Sequence, residues 1–305
     1  MAISKRFGLN LMDEIQNEGT VHQQAVAKVE GLTERNLIVY ESFFSHPAGI
    51  IDEPDDGWIE RMLTSIDLTK YRGALDLFIN SPGGNPTTAE KIILTCRSYS
   101  TSFRVIVPSS AMSAATLIAM GSDAIVMTPT SEIGPIDPQM RIQTPQGPIS
   151  RSAAAWVDAY RDLVNKMQQA IAADQPPHPF AAMLSKLDPS WIQVCLKARQ
   201  LAEKIAADYL HKHMLNGQTP EQIQAVVRHF LTEGEEFAHG RAIRSEKARQ
   251  YGLTVETIEQ GSPLWAAVVA LHARCEHYVQ TRGYAKYFLC RSGGINISVK
   301  QVQFS

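Results

Sequence analysis

The 305-residue chain carries 29 Lys and Arg against 31 Asp and Glu, a formal net charge of −2. That balance gives no electrostatic case for nucleic acid or an anionic membrane as the main partner. With 44% hydrophobic and 20% charged residues, it has the makeup of a globular protein with a large core. Cys96, Cys195, Cys275 and Cys290 lie far apart without CxxC pairing, so neither a zinc site nor a disulfide framework is expected. There is no run of about 18 apolar residues and no secretory pattern at the start, so the expectation is a cytoplasmic protein without a membrane partner.

In chain order, residues 1–33 are weakly patterned and read as an N-terminal arm, with a short helix around Leu9–Gln16. Asn36–Glu41 is apolar and β-branched, a buried strand. The acidic turn Ile50–Asp56 supplies a cap for a helix over Gly57–Ile66, with Ile59, Met62, Leu63 and Ile66 on one face. A strand over Ala74–Ile79 ends at Asn80-Ser-Pro-Gly-Gly84, and a helix follows over Thr87–Tyr99. Phe103–Val107 and Ala124–Met127 are further strands.

Strands alternating with helices predict βαβ units and a mainly parallel sheet. Ile133–Pro138 is an extended, proline-stiffened loop, and Met140–Ile149 is a short hairpin. From about residue 151 the chain turns helical: Ala153–Ala173, Trp191–Leu215, Thr219–Leu231, Arg244–Tyr251 and Pro263–Arg282. The tail forms two strands around Ser292-Gly-Gly294, and packing on its own subunit is favoured over adding a strand to a neighbour. The expected organisation is an arm over 1–33, a main domain over 34–255 and a C-terminal helix and hairpin over 256–305.

Two stretches carry chemistry. Val105–Gly121 is a strand, a tight turn and a helix, with Ser113 just inside the helix start. The unpaired N–H groups of a helix N-terminus suit the generation of an alkoxide or the holding of an oxyanion. The alternative is that Ser109, Ser110 and Ser113 cap and pack a buried helix. Gly83-Gly84 lies after the preceding strand, where adjacent glycines let the backbone approach a ligand and aim N–H groups at it. Together they put donors and a nucleophile at the carboxyl edge of one sheet. Neither GxGxxG nor GxxxxGK[ST] is present, and no cofactor or metal is expected.

Leu77-Phe-Ile-Asn-Ser-Pro-Gly-Gly84 followed by Ala111-Met-Ser-Ala-Ala-Thr-Leu-Ile-Ala-Met-Gly121 resembles the Clp protease and signal-peptide-peptidase superfamily, which has the crotonase-like fold. The branch it is most similar to is the serine dehydrogenase proteinases. Ile51–Asp56, Ile133–Gln139 and Phe237-Ala-His239 with Glu246–Leu253 extend the resemblance over about residues 36–255.

The resemblance implies an α/β spiral of βαβ units with a mainly parallel sheet and a helical C-terminal half. It also implies a serine peptidase with Ser113 as nucleophile and the N–H groups of Gly84 (with Gly83) and Ala114 as oxyanion hole. Asp137 and His239 would complete a Ser-Asp-His triad. A peptide or protein substrate, a homo-oligomer, and any ATP-dependent unfoldase as a separate chain follow from the same likeness. His229 is the nearest substitute base, and Lys166 is the candidate for a Ser-Lys dyad. Two other readings remain: a crotonase-like enzyme acting on an acyl thioester, and a non-catalytic oligomeric scaffold. His211 and His213, spaced i,i+2 on a helix, face apart and make poor metal partners; His272 and His277 read as partly exposed helix residues.

Overall fold

The computed structural model describes residues 18–144, 147–231 and 242–298. Its centre is a seven-stranded sheet of β1 (Asn36–Ser42), β2 (Ala74–Asn80), β3 (Ser102–Val107), β5 (Ala124–Met127), β10 (Val255–Thr257), β11 (Lys286–Cys290) and β12 (Gly293–Ile297). The order is β10-β5-β3-β2-β1-β11-β12. The first five strands of that order run parallel, while β11 pairs antiparallel with β1 and β12 antiparallel with β11.

Alternate residues of each strand serve different cores. Ile38, Tyr40, Leu77, Ile79, Val105 and Val107 pack under α2 (Asp55–Thr64), α3 (Pro86–Ser98) and α4 (Ala114–Met120). Leu37, Val39, Phe78 and Ile106 pack under α1 (Glu18–Thr33) and α10 (Pro263–Arg282). Burial on both faces is why these strands read as continuous apolar runs rather than as alternating ones.

The remaining elements build outward from the carboxyl edge. A small sheet joins β4 (Ser110–Ala111), β6 (Glu132–Ile133) and β9 (Ile243–Arg244). β7 (Gln139–Thr144) and β8 (Gly147–Ser152) form the expected hairpin. It leads into α5 (Ala153–Ala172), α6 (His178–Leu184), α7 (Pro189–Lys212) and α8 (Pro220–Arg228), and α9 (Ser245–Gln250) follows β9.

Two expectations need correction. Residues 18–33 are a helix, not an unpatterned arm. Its inward positions are His22, Val26, Val29 and Glu30, and two polar side chains in that stripe hide it from a hydrophobicity count. Glu30 is used structurally, accepting from the Leu37 N–H at 3.0 Å and from Arg291 at 2.9 Å.

The acidic turn before α2 does not cap it. Pro54 occupies the N-cap without a side-chain bond. Asp55, 1% exposed, instead accepts from the Tyr40 hydroxyl at 2.6 Å and from Lys286 at 2.7 and 2.8 Å, which ties α2 to β1 and β11. The proline cluster at 176–179 both ends α5 and starts α6, because a first helical turn has no N–H bonds for proline to lose. The helix around Leu9–Gln16 lies outside the described residues. Among those described, no helix is long and apolar enough to cross a membrane.

Candidate active site

The end of β2 runs on as Ser81–Asn85 between two neighbours. On one side Ile51 N–H donates to the Gly83 carbonyl and Asn85 N–H to the Ile51 carbonyl, both at 2.8 Å. On the other, Ser81 N–H donates to Ser110 and Met112 N–H to Ser81, both at 3.0 Å. In an extended chain the polar groups of successive residues point to opposite sides. The Gly83 carbonyl and the Asn85 N–H are therefore both turned toward Ile51.

Both glycines are required here. Gly83 has φ +88°, and a Cβ on it would stand 2.3 Å from the Met112 carbonyl oxygen, 2.7 Å from Ser113 Cβ and 2.9 Å from Ala114 N. Gly84 has φ +155°, and its Cβ would fall 2.2 Å from the Ile51 carbonyl oxygen. The Gly-Gly turn thus lies directly against the residues after β3.

Ser113 occupies the N-cap of α4 with φ 50° and ψ −113°, a conformation that a side chain-bearing residue rarely adopts. Its hydroxyl makes no capping bond to the helix. That answers the capping alternative, since a serine kept for its cap spends its oxygen on the second or third helical N–H. Strain of this kind costs about 1–3 kcal/mol and persists where the surroundings impose it. Here they do so through Thr116. Its hydroxyl donates to the Ala111 carbonyl at 2.7 Å and lies 3.0 Å from the Gly134 carbonyl, while Gly134 N–H donates back to Thr116 at 3.2 Å. Ala114 N–H, at the first helical position, has no intrahelical acceptor. Nothing in the sequence pattern singled out Thr116; its spacing from Ser113 is that of any helix-facing threonine.

Asp137 is 1% exposed. Its Oδ2 accepts from Ala154 N–H in the first turn of α5 at 3.4 Å, and Pro138 holds the same turn by accepting from Ala153 at 2.8 Å. The Cys195 thiol on α7 is pushed up, first by burial and then by the charge of Asp137. The carboxylate is therefore enclosed between the loop after β6, α5 and α7.

His239 lies outside the described residues. The residues that flank its segment both return to the Asp137 loop: Phe230 accepts from Ile136 N–H at 2.8 Å, and Ile243 pairs with Ile133.

The other candidates are placed elsewhere. His229 is exposed and stacks on Tyr251, with ring centroids 4.3 Å apart. Lys166 is half exposed and pairs with Asp162, one turn away, at 2.7 Å. His213 stacks on Tyr209 of its own helix. His272 is more enclosed than expected, 15% exposed and 3.1 Å from Glu41. All four cysteines are buried and unpaired, and burial pushes Cys96 up to about 12. Among the described residues, no cluster of three or more His, Cys, Asp or Glu could hold a metal ion.

Residues 51–158 match the family model of the ClpP-like SDH-type serine proteinases. The uncharacterized proteins MJ1495 and MJ0137 of Methanocaldococcus jannaschii are each 38% identical over 81 residues. Those residues are 27% of this chain and only 28% of each relative's length. A ClpP1 mutant from Listeria monocytogenes aligns over 77% of this chain and 98% of its own, at 15% identity and a TM-score of 0.39. Gly83, Gly84, Ser113 and Asp137 all fall inside the stretch that is similar to the ClpP-like SDH-type serine proteinases.

Proposed function

We propose that the chain is a serine peptidase that cleaves peptide bonds through an acyl-enzyme on Ser113. The observation that carries this is the state of Ser113: held at positive φ against Gly83, with its hydroxyl unspent on the helix it precedes. His239, oriented by Asp137, takes the Oγ proton as Oγ attacks the substrate carbonyl carbon. The N–H groups of Gly84 and Ala114 receive the negative oxygen of the tetrahedral intermediate, each worth about 10²–10³ in rate. The same histidine then protonates the departing amine, and water attacks the acyl-enzyme by the reverse sequence.

The proposal extends to a peptide or protein substrate and to assembly of several copies of the chain. Lys166 is a poor base for it, because its ion pair with Asp162 keeps it on the solvent side of α5.

The test is covalent labelling by a fluorophosphonate, with the adduct located by mass spectrometry in wild type, Ser113→Ala and His239→Ala. The expected result is an adduct on Ser113, none in Ser113→Ala, and labelling slowed by about 10² or more in His239→Ala. A folded wild type that takes no label on Ser113 removes the peptidase reading. Labelling of His239→Ala at the wild-type rate removes His239 as the base. An enzyme acting on acyl thioesters through the two N–H donors has no need of this serine and would also leave it unlabelled.

A further inference from the structure

Asn80, the last residue of β2, leads into the segment that carries Gly83 and Gly84 and is not used by the chemistry above. It is 4% exposed and shares the face of Phe78, two residues before it, so it lies on the α10 side of the sheet, away from α4. Asn80 Oδ1 accepts from the Ser110 N–H at 3.1 Å, and Nδ2 donates to Glu41 Oε1 at 2.5 Å. Glu41, wholly buried at the end of β1, has its other oxygen 3.1 Å from His272 Nδ1 on α10. A continuous hydrogen-bonded line therefore runs from α10 through β1 and β2 to the turn that precedes Ser113.

We propose that Asn80 is a positioning residue for Ser113, locked in its working orientation by the Glu41–His272 pair. Its backbone belongs to the oxyanion strand and its side chain grips the nucleophile turn, so it fixes the two halves of the site against each other. The inference rests on the reading of Ser113 as nucleophile.

The lock follows from donor and acceptor inventory. An ionised carboxylate only accepts and the Ser110 N–H only donates, so the amide has one orientation that satisfies both. A protonated Glu41 would instead offer a proton to Asn80, favour the flipped amide, and set an NH₂ group against the Ser110 N–H. Glu41 is biased by its burial first, then by His272 on α10, by Asn80, and by Glu276 on α10; Cys275 on α10 and Tyr287, its register partner on β11, also face it. Glu132, bonded to the Ser110 hydroxyl at 3.1 Å, faces the far end of the line. A cleft lined by Phe43, Asn80, Ser109, Ser110, Glu276 and Gln280 brings solvent to the cluster, which gives protons a route in.

Amide hydrogen exchange at Ser110, read by NMR in Ser113→Ala protein, tests the positioning without relying on catalysis. Fluorophosphonate labelling and peptidase kinetics with Ser113 intact test its consequence. In Asn80→Ala, exchange at Ser110 is expected to rise about tenfold, the yield of one lost buried hydrogen bond. The same variant should lower kcat by about tenfold or more with little change in KM. His272→Gln keeps Asn80 and should move the acid loss of Ser110 protection to higher pH. Glu41→Gln, the neutral analogue of protonated Glu41 with an NH₂ to offer Asn80, should lose Ser110 protection at every pH. Unchanged exchange in Asn80→Ala, or an unmoved pH transition in His272→Gln, overturns the proposal. Should Asn80→Ala fail to fold, the other two variants decide it. A parent protein that takes no label sinks the nucleophile reading and leaves the exchange result to stand by itself.

Discussion

The two ends of the parallel sheet handle buried polar groups in opposite ways. At the amino end, Asp76 is wholly buried and held by Arg35 at 2.6 Å and by Arg104 at 3.0 and 2.9 Å. Arg35 also donates to the Ser102 hydroxyl and to the carbonyls of Leu75 and Ser102, each at 2.9 Å, while Arg104 reaches Glu256 on β10 at 2.7 Å. At the carboxyl end the backbone is strained at Ser113, glycines are forced by contacts under 3 Å, and the serine hydroxyl goes unused by its helix. A fold settles its architectural charges with full hydrogen bonding. Strain and unspent donors persist where something else is to be bound. The difference separates scaffold from site without reference to any relative.

The largest expected effect breaks the strained end. Ser113→Gly removes the proposed nucleophile and also the side chain that makes positive φ costly. Peptidase turnover should fall by about 10⁴ or more, while stability stays level or rises by up to about 1 kcal/mol. Turnover and urea denaturation on the same preparation check this. A loss of stability larger than about 1 kcal/mol would mean that the serine is architectural after all.

The amino end should behave in reverse. Asp76→Asn leaves two arginines facing a neutral partner, and removal of one member of a buried ion pair costs about 3–5 kcal/mol. The two guanidinium groups are 15% and 20% exposed, which places the expected loss toward the low side of that range. Labelling of Ser113 per folded molecule should not change. A slowed label at full folding would show that the two ends are coupled through β2 and β3, and the comparison would then fail.

Much of this was legible from residues alone, and the reasons differ by element. β1, β2, β3 and β5 announce themselves as apolar runs because both faces are covered. Pro-Gly-Gly and the serine after β3 carry their geometry in their residue types. What stayed hidden depends on partners distant in the chain. Asn80, Glu41 and His272 are separated by up to 231 residues, and no local pattern marks a polar residue that is buried against another. β10 is three residues long and is a strand only because β5 lies beside it. α1 was masked by its own polar inward face. His239 is legible as a motif and lies outside the described residues.

Gly83→Ala gives a smaller and sharper test of the strained end. The added methyl would meet the Met112 carbonyl and Ala114 N, both backbone atoms that cannot swing away. The Gly83–Gly84 segment and the Ser113 turn must then move apart, and loss of one donor of the proposed oxyanion hole is expected to lower turnover by about 10²–10³. KM for a short peptide should change much less, because the contact forms with the intermediate and not with the bound substrate. Comparable changes in both parameters would point to general collapse of the loop. Circular dichroism and the Asp76→Asn protein, destabilised but correctly built at this end, provide the control.

The smallest effect concerns pH and falls on the Glu41–His272 pair. Burial alone would lower His272, but the hydrogen bond and charge of Glu41, with Glu276 behind them, outweigh it and raise the imidazole above its ordinary value. Burial likewise raises Glu41, against the opposing pull of His272 and Asn80. In both cases the folded protein holds a proton more tightly than the unfolded chain. The stabilisation from His272 is therefore complete below the ordinary histidine value of about 6.5 and is lost as pH rises through the folded one. Glu41 acts with the same sign at lower pH.

Stability from urea denaturation between about pH 5.5 and 8.5 should thus decline with rising pH, by no more than about 1.4 kcal/mol per pH unit for each proton released. His272→Gln should flatten the upper part of that slope. Protection of the Ser110 amide should run the other way, falling as acid protonates Glu41 and turns the Asn80 amide. A cluster that served only to hold the sheet together would move both readouts in the same direction. Opposite slopes in one protein would identify a global brace on α10 and a local clamp on the nucleophile turn as two functions of the same three side chains.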